Sequence, residues 1–147
     1  MIDAYYSDAM PFHLATKEFF ELAQRKLTPN GIIVANLISA VTGPSGRIAR
    51  AFIKTQRPIF PQIYVFAARR PDNVSIQTVQ NVIIIATRDK QRMDIKEIVK
   101  RAAALDKGLF PDPIEDIGVA YYDGPLPDQD VPVLTDDYAP TDNLLHP

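Results

Sequence analysis

Apolar positions along this chain switch between a spacing of three to four residues and short continuous runs, and the switches outline the elements. Ile2 is apolar and Asp3 stands where a strand would finish, so the opening reads as the end of a strand followed by a polar, Pro-containing loop over residues 7–13. Thr16 suits the N-cap of a helix over residues 17–27, with Phe19, Phe20, Ala23 and Leu27 on one apolar face. Thr28-Pro29-Asn30-Gly31 stops it. Residues 32–38 are then almost wholly apolar, Asn36 excepted. Such a run predicts a strand buried on both faces, as in a parallel sheet. After the loop Gly43-Pro44-Ser45-Gly46, where Ser45 could cap, Ile48, Phe52 and Ile53 mark a second helix that ends before Pro58. Strands are predicted at 62–68 and 81–87, with Pro71-Asp72-Asn73 as the turn of a long antiparallel hairpin. Asp94 with Glu97 reads as a capping box for a third helix, whose stripe is Ile95, Ile98, Val99, Ala102 and Leu105.

This order predicts an α/β fold: a mostly parallel sheet with right-handed crossovers and one reversed hairpin strand near an edge. Beyond Gly108 the chain becomes rich in Pro, Asp and Gly. The division expected is therefore an α/β unit over residues 1–110 and an irregular tail, 111–147, packed on it or ordered by a partner.

Composition narrows the chemistry. The 147 residues are 46% hydrophobic and 23% charged, enough for one cored domain, and the net charge of −2 gives no basic field for nucleic acid. With no cysteine, disulfides, thiolate catalysis and cysteine-ligated zinc are excluded, and the usage fits the cytoplasm. No run nears the roughly 20 apolar residues that span a bilayer. His13 and His146 lie at opposite ends of the chain, so no pair of histidines has metal-ligand spacing.

The sharpest candidates are Asp3 and Asp8. Ligands of open α/β sheets bind beyond the carboxyl ends of the strands, where Asp3 and the following loop fall. Two carboxylates there could hold a cationic amine and take its proton, and Tyr5 and Tyr6 could wall the pocket. The same acids equally suit an ordinary turn. His13 could shuttle a proton or serve as a structural hydrogen-bonding residue. Asn36 could face a ligand or bond to nearby backbone. The Gly43–Gly46 loop before a helix could take an anion or form a plain turn. Asp136, Asp137 and Asp142 could extend an acidic pocket or belong to a solvated tail, and Tyr121, Tyr122 and Tyr138 could be pocket rings or anchors for that tail.

The stretch from Asp3-Ala4-Tyr5-Tyr6-Ser7-Asp8 to Phe19 resembles the region after the fourth strand of spermidine-synthase-like proteins. Leu27-Thr28-Pro29-Asn30-Gly31-Ile32-Ile33-Val34-Ala35-Asn36-Leu37 resembles their next helix end and fifth strand, and Leu134-Thr135-Asp136-Asp137-Tyr138-Ala139-Pro140 a tail motif of the same group. The resemblance implies the C-terminal half of a methyltransferase-like, Rossmann-like three-layer sandwich. It also implies aminopropyl transfer from decarboxylated S-adenosylmethionine to a polyamine such as putrescine. Asp3 would be the acid that activates the amine. Asp8, Tyr5, Tyr6, Asp136 and Asp137 would contact the substrate. Characterised synthases place the two acids three residues apart, followed by Pro and Gly; here the gap is five and the Gly is missing. The family's glycine-rich nucleotide loop and ribose-binding acid have no counterpart in this sequence, so no adenosyl group is expected to bind this chain alone. A methyltransferase fragment and a non-catalytic assembly module are the alternatives. The partners expected are a small polyamine-type cation, with no nucleic acid or membrane contact, and either a missing N-terminal half or a second copy. Residues 1–6 with Phe19 and Phe20 are the expected homodimer contact.

Overall fold

The computed structural model describes residues 1–4, 10–67, 75–106, 108, 114 and 116–145. Among these residues five α-helices and four strands follow one another: α1 (Lys17–Lys26), β1 (Ile32–Ser39), α2 (Arg47–Gln56), β2 (Gln62–Ala67), β3 (Gln80–Thr87), α3 (Ile95–Leu105), α4 (Asp116–Ala120), β4 (Tyr121–Tyr122) and α5 (Thr141–Leu145). Thr16 caps α1 as its spacing predicts, its Oγ1 accepting from the Phe19 amide at 3.3 Å. Asp94 caps α3 through the Lys96 amide, but Glu97 accepts from Arg101 instead of reaching back. Ser45 makes no side-chain cap; the loop closes as one 3-10 turn, Pro44–Gly46, entered through Gly43 at φ 74°.

The sheet corrects the expectation of a mostly parallel arrangement. Its four strands run in the order β1-β3-β2-β4, and every neighbouring pair is antiparallel. β2 and β3 do pair antiparallel, with Val65 opposite Ile84, while Pro71, Asp72 and Asn73 lie outside the described residues. β3, however, does not sit at an edge. It enters between β1 and β2, with Ile84 also opposite Ala35. The helical crossover through α2 points β1 and β2 the same way, so a reversed strand inserted between them bonds to both and replaces their direct contact. Val82-Ile83-Ile84-Ile85 fits that place, because a strand with neighbours on both sides is the one least open to water. The parallel contact present among the described residues is a single bridge, Ile2 with Ala35.

Alternation along the strands separates two faces. Ile33, Ala35 and Leu37 of β1, Val82, Ile84 and Ala86 of β3, and Val65 and Ala67 of β2 enter one core with Phe20, Ile48, Phe52, Ile53, Leu134 and Leu144. Phe20 is wholly buried there, edge-on to Phe52 with ring centroids 5.0 Å apart. It is core, not the intermolecular contact expected of it. The region read as an irregular tail holds α4, β4 and α5, and between them a strap crosses α2. Arg50 pairs with Asp130, Arg57 with Asp128, and Lys54 donates to the carbonyls of Asp128 (2.8 Å) and Val131 (2.7 Å). Leu134, fully buried, then ties α2 to α1: its amide donates to Thr55 Oγ1 (2.9 Å) and its carbonyl accepts from the Lys17 amide (2.8 Å).

Candidate functional site

Ile2 fixes where Asp3 stands. The Ile2 amide donates to the Val34 carbonyl at 2.7 Å, and its own carbonyl accepts from the Asn36 amide at 3.0 Å. With the Ile2 side chain in the core, alternation turns Asp3 to the other side of the sheet, the side of Asn36. There Asn36 Nδ2 donates to Asp3 Oδ1 at 3.1 Å. The Asp3 side chain is otherwise exposed, so its second oxygen meets solvent or an incoming donor. This arrangement can orient a carboxylate and present it to a cation or to an acidic N–H. Asn36, which the sequence left between two roles, does so through its side chain, and a polar residue inside an apolar strand was the legible signal.

The other expected residues are placed differently. Asp8, Tyr5 and Tyr6 lie outside the described residues. Asp136 and Asp137 are exposed in a tight turn closed by Thr135 and Tyr138, whose backbones exchange two hydrogen bonds of 3.0 Å. The Asp136 amide donates to Glu18 Oε2 at 3.0 Å, setting this turn beside the start of α1. Among the described residues no hydrogen bond or ion pair joins either aspartate to Asp3. His13 is exposed on a 3-10 turn, edge-on to Phe12.

The Gly43–Gly46 loop is engaged by its own chain. Arg50 donates to the Gly43 carbonyl, and the Val41 and Thr42 amides both donate to the Ile76 carbonyl. Tyr121 accepts from Arg92 Nη2 at 2.6 Å. Tyr122 donates to the Pro125 carbonyl at 2.9 Å, and partial burial, aided by Asp123, raises its phenol above the ordinary value. Glu97 titrates below the usual carboxylate range because Arg101 donates to it. The cationic row of α2, Arg47, Arg50, Lys54 and Arg57, went unread in the sequence. Its spacing of three, four and three residues marks one helix face, but nothing local says that a segment some 75 residues later will lie on it.

Among the described residues, cavities lie elsewhere, including a shallow one of about 360 Å³ between α3 and α4, lined by Ile95, Val99 and Val119, and two at the sheet. One, of about 470 Å³, separates α3 from the sheet and is lined by Ile32, Tyr64, Phe66, Ile85, Ile98 and Arg101 among others. The other, of about 290 Å³, gathers Arg57, Arg92, Tyr122 and Asp123 at the β2 side. Asp3 lines neither. No helix among the described residues is long and apolar enough to cross a membrane.

No protein-family model matches this chain, and no curated protein sequence does. Among solved structures it is similar to a probable spermidine synthase from Corynebacterium glutamicum ATCC 13032, at 22% identity and a TM-score of 0.50. The similarity covers 67% of this chain and 35% of that one, so the chain spans about a third of that protein's length. At this identity the likeness shows a shared fold, which relates the α/β arrangement described here to that of a probable spermidine synthase.

Proposed function

We propose that this chain carries the amine-binding part of a spermidine-synthase-like aminopropyl transfer site, with Asp3 as its base. The supporting observation is the Asp3–Asn36 pair at the sheet edge, in a fold shared over 67% of the chain with a probable spermidine synthase. In such a transfer a neutral amine nitrogen forms a bond to carbon as the carbon–sulfur bond breaks and its electron pair leaves with sulfur. The nitrogen must then lose a proton to a base. A carboxylate held through one oxygen by Asn36 keeps the other for that N–H. Before reaction the same charge attracts the substrate as an ammonium, which gives one proton to solvent so that the neutral nitrogen can attack, and Asp3 takes the second proton as the new bond forms. No residue is assigned to the adenosyl group, since the sequence contains no G-x-G turn to approach it.

Calorimetric titration with putrescine and spermidine tests the reading without any adenosyl ligand. The chain is expected to bind a diamine, and Asp3→Asn to weaken that binding about 10–100-fold, the effect of losing a hydrogen bond between charged groups. In a protein that also carries the adenosyl-binding part, Asp3→Asn should cut turnover by ~10²–10⁴ with its unfolding midpoint little changed. Equal diamine affinity in the two forms, or none in either, removes the reading.

A further inference from the structure

The cavity of about 290 Å³ at the β2 side takes no part in the site at Asp3. Its floor is apolar. Ile53 of α2, Phe60 just beyond that helix and Val65 of β2 are buried there, and Ile63 and Leu126 pack against the same core. The rest of the lining carries three charged side chains, Arg57, Arg92 and Asp123, and the Tyr122 phenol.

Of these charges only Arg57 has an ionic partner, Asp128. Arg92 pairs with no carboxylate among the described residues, yet its guanidinium is fixed in place. Nη1 donates to Gln62 Oε1 (3.2 Å) and to the Ile63 carbonyl (3.3 Å), Nη2 donates to the Tyr121 oxygen (2.6 Å), and the guanidinium carbon lies 4.8 Å from the Tyr64 ring centroid. All three acceptors are neutral, so they orient the charge without cancelling it. They leave Nε–H and one Nη2–H, the edge of the fork that takes a carboxylate through two parallel bonds. Asp123 is exposed and makes no hydrogen bond or ion pair among the described residues, with Arg92 or with any other group. Its charge reaches Tyr122, whose phenol is raised first by burial and further by Asp123. One cavity thus carries a cation and an anion, each without an ionic partner.

We propose that this cavity binds a free α-amino acid with an apolar side chain, its carboxylate on Arg92, its ammonium on Asp123 and its side chain over Ile53, Phe60 and Val65. Two unpartnered charges of opposite sign suit a ligand that carries both. A simple anion would meet Asp123, and a simple amine would meet Arg92, and each like-charge encounter selects against that ligand. The apolar floor supplies what the charges do not, a place for a hydrocarbon side chain. The volume of about 290 Å³ stands at the lower end of the roughly 300–1,000 Å³ of ligand pockets, which suits one amino acid better than a peptide. Asp3 and Asn36 have no role in this binding.

Titration of the full chain with L-leucine, followed by backbone amide chemical shifts, tests this. Saturation is expected with a Kd of about 1 mM or tighter, a strength within reach of so small a ligand, with the shifts centred on residues 122–126 and 92–93. Two analogues each remove one charge: 4-methylpentanoate lacks the amine and 3-methylbutylamine lacks the carboxylate. Each should bind at least about tenfold more weakly, the effect of losing one charged hydrogen bond. Arg92→Gln and Asp123→Asn should each weaken leucine about 10–100-fold for the same reason. Asp123 has no described partner, so Asp123→Asn should keep the parent's far-ultraviolet circular dichroism; if Arg92→Gln disturbs the fold, that variant and the two analogues still decide. Putrescine, the probe for Asp3, should not displace leucine. No saturation by about 10 mM, an analogue that binds as tightly as leucine, a folded variant that binds leucine as the parent does, or displacement by putrescine would each overturn the proposal.

Discussion

On one face of the sheet Ile33, Ala35 and Leu37 are buried under α1, α2 and the strap; one residue along, on the other face, Ile32 is half in solvent. The side chains are equally apolar, so hydrophobicity does not separate the two sides. What separates them is the layer above. The first face has a helix pair closed by Phe20 against Phe52 and clipped at Leu134. The second has α3, held beside the sheet by its neighbour α4 and by the edge around Tyr64. A helix gains most of its stability in a protein from the apolar surface it packs against. By that measure α2 is a core element and α3 is an amphipathic helix whose stripe is only half used.

The contrast can be broken most forcefully at Phe52. Phe52→Ala is expected to cost about 3–5 kcal/mol in urea unfolding, from lost burial and the cavity left behind. Ile32→Ala should cost about 1 kcal/mol or less, since half of that side chain is already wet. Similar losses at the two positions would mean that the second face is covered in solution.

The strap gives a smaller effect. Arg50 is nearly buried and depends on Asp130, whose own side chain is 54% exposed. Asp130→Ala should therefore destabilise by about 1–2 kcal/mol, less than a wholly buried pair would, and the difference from the parent should shrink at 1 M salt. Salt-independent loss would assign the effect to the backbone of the strap instead. Smaller again is Thr16→Ala at the start of α1, expected at about 1 kcal/mol from the lost cap and read as a fall in the thermal midpoint. No change there would show that the Leu134 clip alone holds that end of the helix.

Much of this was legible locally. The Thr16 and Asp94 caps, the β1 run and the stripes of α1 and α2 follow from periodicities and cap chemistry that involve residues only a few positions apart. Asp3 could be placed at a strand end because the apolar pattern stops there. Asn36 as its partner is a contact across 33 residues, and an isolated polar residue in a strand shows that a partner is wanted, not which one. For the same reason Asp136 and Asp137 could be grouped with Asp3 in sequence, whereas the strap carries them to the start of α1.

By itself, then, the sequence determined the elements from α1 to α3 and the apolar faces of those three helices, since both are properties of a backbone period and its side chains, whereas α4, β4 and α5 lie in the stretch that reads as an irregular tail. Only the tertiary structure decided that β3 lies between β1 and β2, that the Asp128–Leu134 strap runs over α2, and that Ile32, at the β1 edge, stays half exposed while Tyr64 and Phe66 on the same face are buried. Each of these is a choice among partners distant in the chain. A run such as Val82-Ile83-Ile84-Ile85 satisfies both an edge and a centre until the neighbouring strands compete for its hydrogen bonds, and that competition exists only once the chain is folded.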